Sequence, residues 1–323
     1  MNKIICGDSL EELSELESDS IDLIVTSPPY FRQRKYTEDE REIGSETKIG
    51  LYLQILLGVF DECVRVIKPT GSIVWNMGDI YIDKSLQLLP YRFALEIFDH
   101  YKDVKLINDI TWVKSNPTPR QYKKRLIPAT EPFFHFVKSD DYYYNRDEFL
   151  KKDEPVKPNK SPKKGLGYVT KINSSELTGH EKIDAIMDLT DVIEELRQGK
   201  ISDFRMKIRG VHKKAFGGQA GGRNSQIERQ GYTIIRMYGN KLKRDVIVTS
   251  VADTKNIDHP AVFPLTLIEE VIQLLSEEGN MILDPFCGSG QVCIAAKSLN
   301  RQSLGIELSS YYCVIARNRL LKG

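Results

Sequence analysis

The sequence predicts an α/β fold: one sheet with helices on both faces, and a smaller basic segment inserted into it. Three observations carry this. Strand-sized apolar runs alternate with helically spaced ones toward both ends of the chain. That rhythm stops between Lys151 and Asp245. Charge divides along the same line, with 21 Lys and Arg against 12 Asp and Glu in that stretch and 25 against 33 elsewhere. The expected divisions are therefore 1–150, 151–245 and 246–323, the outer two forming one body. A chain of 323 residues, 41% hydrophobic and with a net charge of +1, is neither a disordered nor a membrane-spanning composition.

The elements follow in order. Residues 1–8 read as a strand and turn without the apolar stretch of a secretory signal, so a cytoplasmic protein is expected. Ile21-Asp22-Leu23-Ile24-Val25-Thr26 is a short, mainly apolar and β-branched run that reads as a buried strand. From Leu51 to Lys68 the residues Leu53, Leu56, Leu57, Phe60, Val64 and Ile67 share a helical face, and Pro69-Thr70-Gly71 ends it. Gly71–Asn76 is the next strand, then a helix near Gln87–His100 and strands at Asp109–Val113 and Phe133–Val137. After the insert come a helix (Pro264–Leu275), a strand (Met281–Leu283), a helix (Ser289–Ser298), a strand (Ser303–Ile306) and a closing helix (Tyr311–Leu321).

The insert differs in kind. Lys151–Lys164 is rich in Lys and Pro and reads as an extended linker. Glu181–Arg197 carries Ile183, Ile186, Met187, Val192, Ile193 and Leu196 at helical spacing, a stripe expected to face a core. Gly217–Asn224 is glycine-rich, but no Gly-Lys-Ser/Thr follows, so it is not a phosphate-cradling P-loop. The positive balance suits a polyanion, with a solvated lysine-rich surface as the alternative reading. Cys6, Cys63, Cys287, Cys293 and Cys313 are scattered and odd in number, with no CxxC or HExxH, so neither a disulfide framework nor a metal site is expected.

Two loops carry chemistry. In Asp284-Pro285-Phe286-Cys287-Gly288-Ser289-Gly290 a strand turns into a helix through glycines, which admit positive φ and let a ligand approach the backbone. Glu307 ends the next strand, where an acid suits a pair of ribose hydroxyls. The second loop is Ser27-Pro28-Pro29-Tyr30, directly after the strand at Ile21–Thr26. Its prolines remove two donors and leave carbonyl oxygens facing out. Ser27 Oγ with a proline carbonyl makes a pair of acceptors for an exocyclic amine, and Tyr30 offers a ring for a planar base. A plain strand-ending turn is the alternative for this loop taken alone.

Together these loops resemble the catalytic and S-adenosylmethionine motifs of DNA amino-methyltransferases, in the order of the β group, catalysis before cofactor. The likeness covers most of the chain. It implies a Rossmann-like methyltransferase sheet, with Ser27, Pro28, Pro29 and Tyr30 catalytic. It implies cofactor contacts from Asp284, Pro285, Phe286, Cys287, Gly288, Ser289, Gly290 and Glu307. Cys6-Gly7-Asp8-Ser9 resembles the acidic motif near the cofactor's adenine, and His259-Pro260-Ala261-Val262-Phe263-Pro264 the segment preceding the glycine loop, which adds Asp8, His259, Pro260, Ala261 and Phe263. The insert falls where the family keeps its target-recognition domain. Double-stranded DNA is then the expected partner, with Arg32, Arg34, Lys35, Arg120, Lys123, Lys124, Arg125 and Arg223 facing it and 31–36 closing over a flipped nucleotide; for 120–125 a solvated loop is the other reading.

The implied reaction is direct methyl transfer to an exocyclic amine. Methylation of cytosine C5 uses a Pro-Cys dipeptide, and none of the 14 prolines precedes a cysteine; Cys287 is expected to pack rather than attack. Family members with Ser before the prolines mostly act on cytosine N4 and those with Asp on adenine N6, so N4 is favoured and N6 is the alternative. A non-catalytic DNA-binding module is the non-enzyme alternative. A cognate restriction endonuclease is an expected partner, and both monomer and homodimer are compatible with the sequence.

Overall fold

The computed structural model describes residues 2–35, 37, 39–117, 122–145, 163–212, 223–237, 244–251 and 263–322, with backbone alone at 163, 164, 223 and 224. Arg120, His259, Pro260, Ala261, the Arg223 side chain, most of 151–164 and the glycines of 217–222 lie outside it.

In chain order the elements are β1 (Asn2–Cys6), α1 (Ser9–Ser14), β2 (Ile21–Thr26), α2 (Ile49–Val66), β3 (Ile67–Asn76), β4 (Tyr81–Ile82), β5 (Ser85–Leu86), α3 (Leu89–His100), β6 (Lys105–Lys114) and β7 (Thr130–Val137). Then follow α4 (Lys163–Asn173), α5 (Gly179–Arg197), β8 (Asp203–Ile208), α6 (Arg223–Gln230) and β9 (Tyr232–Met237). The chain closes with β10 (Val246–Thr249), α7 (Leu265–Leu275), β11 (Met281–Asp284), α8 (Gln291–Ser298), β12 (Gln302–Glu307) and α9 (Ser310–Lys322). Two compact units result, Met1–Phe149 with Lys243–Gly323, and Leu150–Leu242.

The first unit is built on an eight-stranded sheet ordered β1-β12-β11-β2-β3-β7-β6-β10. Every neighbouring pair is parallel except those made by β7, which runs against β3 and β6. Alternation along the strands feeds two cores. Ile24, Ile73, Trp75, Phe134 and Phe136 pack with Leu56, Phe60, Phe93 and Ile97 of α2 and α3. Leu23, Val25, Val74 and Phe133 pack on the other face with Leu267, Ile268, Val271 and Ile272 of α7 and Ala295 of α8. Because β7 alone is reversed, its amino end joins the carboxyl ends of β1, β12, β11, β2, β3 and β6 at one edge of the sheet, where ligands of open α/β sheets bind.

Three expectations are corrected. The helix read to Lys68 ends at Val66, and β3 begins at Ile67 with Pro69-Thr70-Gly71 inside it. Pairing with β2 jumps from Ile21↔Ile67 to Leu23↔Ser72, so the proline sits in a bulge where no ladder donor is needed. A Cβ on Gly71 would stand 2.8 Å from the Asp22 carbonyl oxygen, which keeps glycine there. The buried face of α2 is Tyr52, Leu53, Leu56, Val59, Phe60, Cys63 and Val66, rotated from the stripe read from the sequence because Tyr52 and Cys63 pack as apolar groups.

The second unit has its own core of Ile172, Leu189, Val192, Phe204, Met206, Ile208 and Tyr232, over an antiparallel β8–β9 pair. In α5 the buried positions are Ala185, Leu189, Val192 and Leu196, whereas Ile183 and Met187 are exposed. Small Ala185 lets the helix sit close, which turns the bulkier neighbours outward. A capping box of Thr178 and Glu181 starts α5, and Arg209 pairs with Glu181 at 2.6 Å.

Candidate active site

The two loops singled out in the sequence meet at the sheet edge. Strands β2 and β11 are neighbours in register Leu23↔Ile282 and Ile24↔Leu283. At their ends Thr26 Oγ1 donates to Asp284 Oδ1 at 2.7 Å, joining residues 258 positions apart. The Phe286 N–H donates to the same oxygen at 3.1 Å. Asp284 is buried, and burial lifts its carboxyl to about 7 against the opposing pull of those two donors.

The glycine loop is braced from three sides. Gly288 and Gly290 have φ of 50° and 80°, and Gly290 leads into α8. Glu307, at the end of β12, accepts the Gly288 N–H on one carboxylate oxygen (2.9 Å) and the Ser309 N–H on the other (2.8 Å). Burial raises its carboxyl while those N–H groups lower it. Arg319 of α9 donates to the Ser289 carbonyl (2.6 Å), Ser289 Oγ (2.9 Å) and Gln291 Oε1 (2.7 Å). Gln291 in turn donates to the Phe263 carbonyl at 3.1 Å, tying that residue to the loop. Ser9 Oγ donates to the Pro285 carbonyl at 2.6 Å, and Asp8 caps α1 by accepting the Leu10 and Glu11 N–H groups on Oδ1. Phe286 meets Trp75 edge-on at 6.2 Å. Cys287 packs as expected: it is buried, its thiol is held well above the ordinary range by burial, and Gly305 is glycine because a Cβ would lie 2.8 Å from its Sγ.

The Ser27 loop is held by groups that no motif contains. Tyr52 Oη donates to the Pro29 carbonyl at 2.9 Å. Tyr30 Oη donates to Asn76 Oδ1 at 2.7 Å, and Asn76 is oriented by donating to the Pro132 carbonyl at 2.9 Å. Ser27 Oγ lies 3.3 Å from Tyr30 Oη, as does Glu131 Oε2, and Lys114 Nζ pairs with the other Glu131 oxygen. Burial, then the Glu131 charge, push the Tyr30 phenol well above its ordinary value. The Tyr30 ring lies on Gly78, where a Cβ would stand 2.3 Å from it. Asn76, Glu131 and Lys114 come from the ends of β3, β7 and β6; nothing in their local sequence marks them, and only the strand order gathers them.

The basic candidates separate. Arg34, Lys35, Lys123 and Lys124 are exposed. Arg32 is exposed as well and donates to the Glu46 (3.0 Å) and Thr47 (2.9 Å) carbonyls. Arg125 is stacked between the Tyr81 and Tyr122 rings at 3.6 Å from each. Phe31, read as part of a closing flap, is buried against Tyr52 at 5.3 Å: its ring anchors the loop in the core.

Comparison with known proteins returns a family model described as DNA methylase, matching residues 21–318. Type II methyltransferase M.Cfr9I of Citrobacter freundii is 27% identical over 97% of this chain and 86% of its own length. Type II methyltransferase M.SfiI of Streptomyces fimbriatus is 36% identical over 44% of this chain, a match spanning 37% of that protein. Among solved structures, PvuII DNA methyltransferase (cytosine-N4-specific) superposes with a TM-score of 0.62 at 17% identity, covering 99% of this chain and 86% of that one. A DNA modification methylase of Thermus thermophilus, solved in complex with S-adenosyl-L-methionine, gives a TM-score of 0.56 at 19% identity, covering 100% and 94%.

Proposed function

This chain belongs to the DNA methylase family, and from that premise we propose that it methylates the N4 amine of cytosine in duplex DNA, flipping the base into the edge where β2 and β11 end. The single observation carrying the reading is the junction of the two loops, sealed by the Thr26–Asp284 hydrogen bond of 2.7 Å.

The donor set suits S-adenosylmethionine. Gly288 and Gly290 present backbone without side chains, Glu307 supplies a carboxylate toward sugar hydroxyls, and Asp8 stands at the end of neighbouring β1. The cofactor supplies a methyl group on a sulfonium sulfur. The rest is the work of the chain. An exocyclic amine is a poor nucleophile because its lone pair is delocalised into the ring. Ser27 Oγ and the Pro28 carbonyl accept its two hydrogens and hold the nitrogen nearer tetrahedral, while Tyr52 occupies the Pro29 carbonyl and fixes the loop. Tyr30 faces the base with its hydroxyl secured by Asn76.

Neutral Ser27, where adenine-N6 enzymes usually carry aspartate, supports N4 of cytosine. The Leu150–Leu242 unit is the target-recognition module, and its positive balance, with Lys123 and Lys124 of the first unit, supplies phosphate contacts. Similarity to type II methyltransferases supports a place beside a restriction endonuclease with the same site. Among the described residues no helix is long and apolar enough to cross a membrane.

Mass spectrometry of nucleosides from DNA incubated with protein and S-adenosylmethionine tests this. N4-methylcytosine is expected. N6-methyladenine would move the reading to the other amine, and cofactor binding without any methylated nucleoside would leave a binding module.

A further inference from the structure

A carboxylate stands behind the Ser27 loop, on a strand about 100 residues from it. Glu131 is one-sixth exposed at 17%, and its partner Lys114, at 20%, lies over the Trp112 ring with Nζ 4.8 Å from the centroid. One Glu131 oxygen is occupied by Lys114, and the other faces Tyr30 Oη at 3.3 Å. Tyr30 Oη is equally 3.3 Å from Ser27 Oγ. Three oxygens therefore form an unbroken line from the acceptor of the target amine to a charged carboxylate. Structural bracing does not require this charge, because Asn76 already secures the Tyr30 hydroxyl at 2.7 Å.

A methylated amine must lose a proton. The motif serine has no capacity to keep one, and an amide such as Asn76 is a negligible base. We propose that Glu131, held in place by Lys114, is the proton acceptor of the reaction and is reached through Tyr30 and Ser27. This rests on the reading of the chain as an amino-methyltransferase. The surplus N–H proton moves to Ser27 Oγ as the serine's own hydroxyl proton passes to Tyr30 Oη. The phenol proton, turned from Asn76 toward Glu131, passes to Oε2. One N–H bond breaks, its electron pair staying on nitrogen, and one O–H bond forms on the carboxylate. Serine and tyrosine end as they began, and no further reactant is consumed. Glu131 acts through other groups, so it positions and receives rather than touching the base.

The test is single-turnover methylation of duplex DNA by the full-length protein saturated with S-adenosylmethionine and DNA. Glu131→Gln keeps size and hydrogen bonding but not basicity, and general-base losses run to about 100-fold or more. The expected result is a methylation rate lowered about 100-fold, with DNA affinity by fluorescence anisotropy and the melting transition within about twofold and a few degrees of wild type. In Glu131→Ala, sodium formate is expected to restore at least about tenfold of the lost rate, which a purely structural role would not allow. A Glu131→Gln rate within about threefold of wild type, or no effect of formate on Glu131→Ala, overturns the proposal. A wild-type protein that transfers no methyl group would instead refute the function on which it rests, so the two failures are distinguishable.

Discussion

Asp284 makes stability depend on pH in a direction that can be measured. Its carboxyl is buried at the centre of the site, and burial pushes it up to about 7 from the ordinary 3.8. The folded chain therefore holds a proton that the unfolded chain releases, and stability present at low pH is lost as pH rises through the folded value. At about 1.4 kcal/mol per decade the whole effect is about 4 kcal/mol, of which roughly 2 to 3 kcal/mol falls between pH 5 and 8. For a body of this size that is a drop of roughly 5 to 10 °C in melting temperature. Buried His135, lowered to about 4, works oppositely, losing stability as pH falls below its unfolded value of 6.5. Comparison with Asp284→Asn cancels that contribution. Asparagine resembles the protonated acid and still accepts from Thr26 and the Phe286 N–H. The two tryptophans, Trp75 and Trp112, are both buried in the first unit, so their fluorescence on heating the ligand-free protein reports that body. The gap between Asp284→Asn and wild type should widen in the variant's favour from pH 5 to pH 8. Parallel curves would show that Asp284 does not carry the pH dependence.

Arg319→Met should unhook Ser289 and Gln291 and weaken S-adenosylmethionine binding at least about tenfold by calorimetry, since hydrogen bonds to a charged group contribute about 1.5–3 kcal/mol; an unchanged Kd refutes the bracing role. Tyr52→Phe removes the donor to the Pro29 carbonyl, worth about 1 kcal/mol, and should slow methyl transfer about fivefold with DNA affinity retained, whereas wild-type turnover would show that the loop holds itself. Alanine at both Lys123 and Lys124 should flatten the dependence of log K on log salt by about 1 to 2; an unaltered slope would leave them as solvated surface.

Features whose chemistry is local were legible in the sequence. Short, mainly apolar runs specified β2 and β11, helical spacing specified α7 and α9, and the turn chemistry of Ser27–Tyr30 and Asp284–Gly290 marked the reactive loops, because prolines and glycines restrict or free the backbone wherever they stand. Strand boundaries were less legible: β3 tolerates Pro69 only because its partner β2 permits a bulge, a fact of pairing rather than of spacing. In α5 the exposed Met187 and buried Ala185 look alike in a hydrophobic pattern, and the neighbouring β8 and β9 decide between them. Tertiary structure alone supplied the reversal of β7. That one antiparallel strand delivers Glu131 to an edge otherwise made of strand carboxyl ends, beside Asn76 and Lys114. An isolated Glu after a threonine carries no signal in one dimension, since a carboxylate's role is fixed by what faces it across the fold.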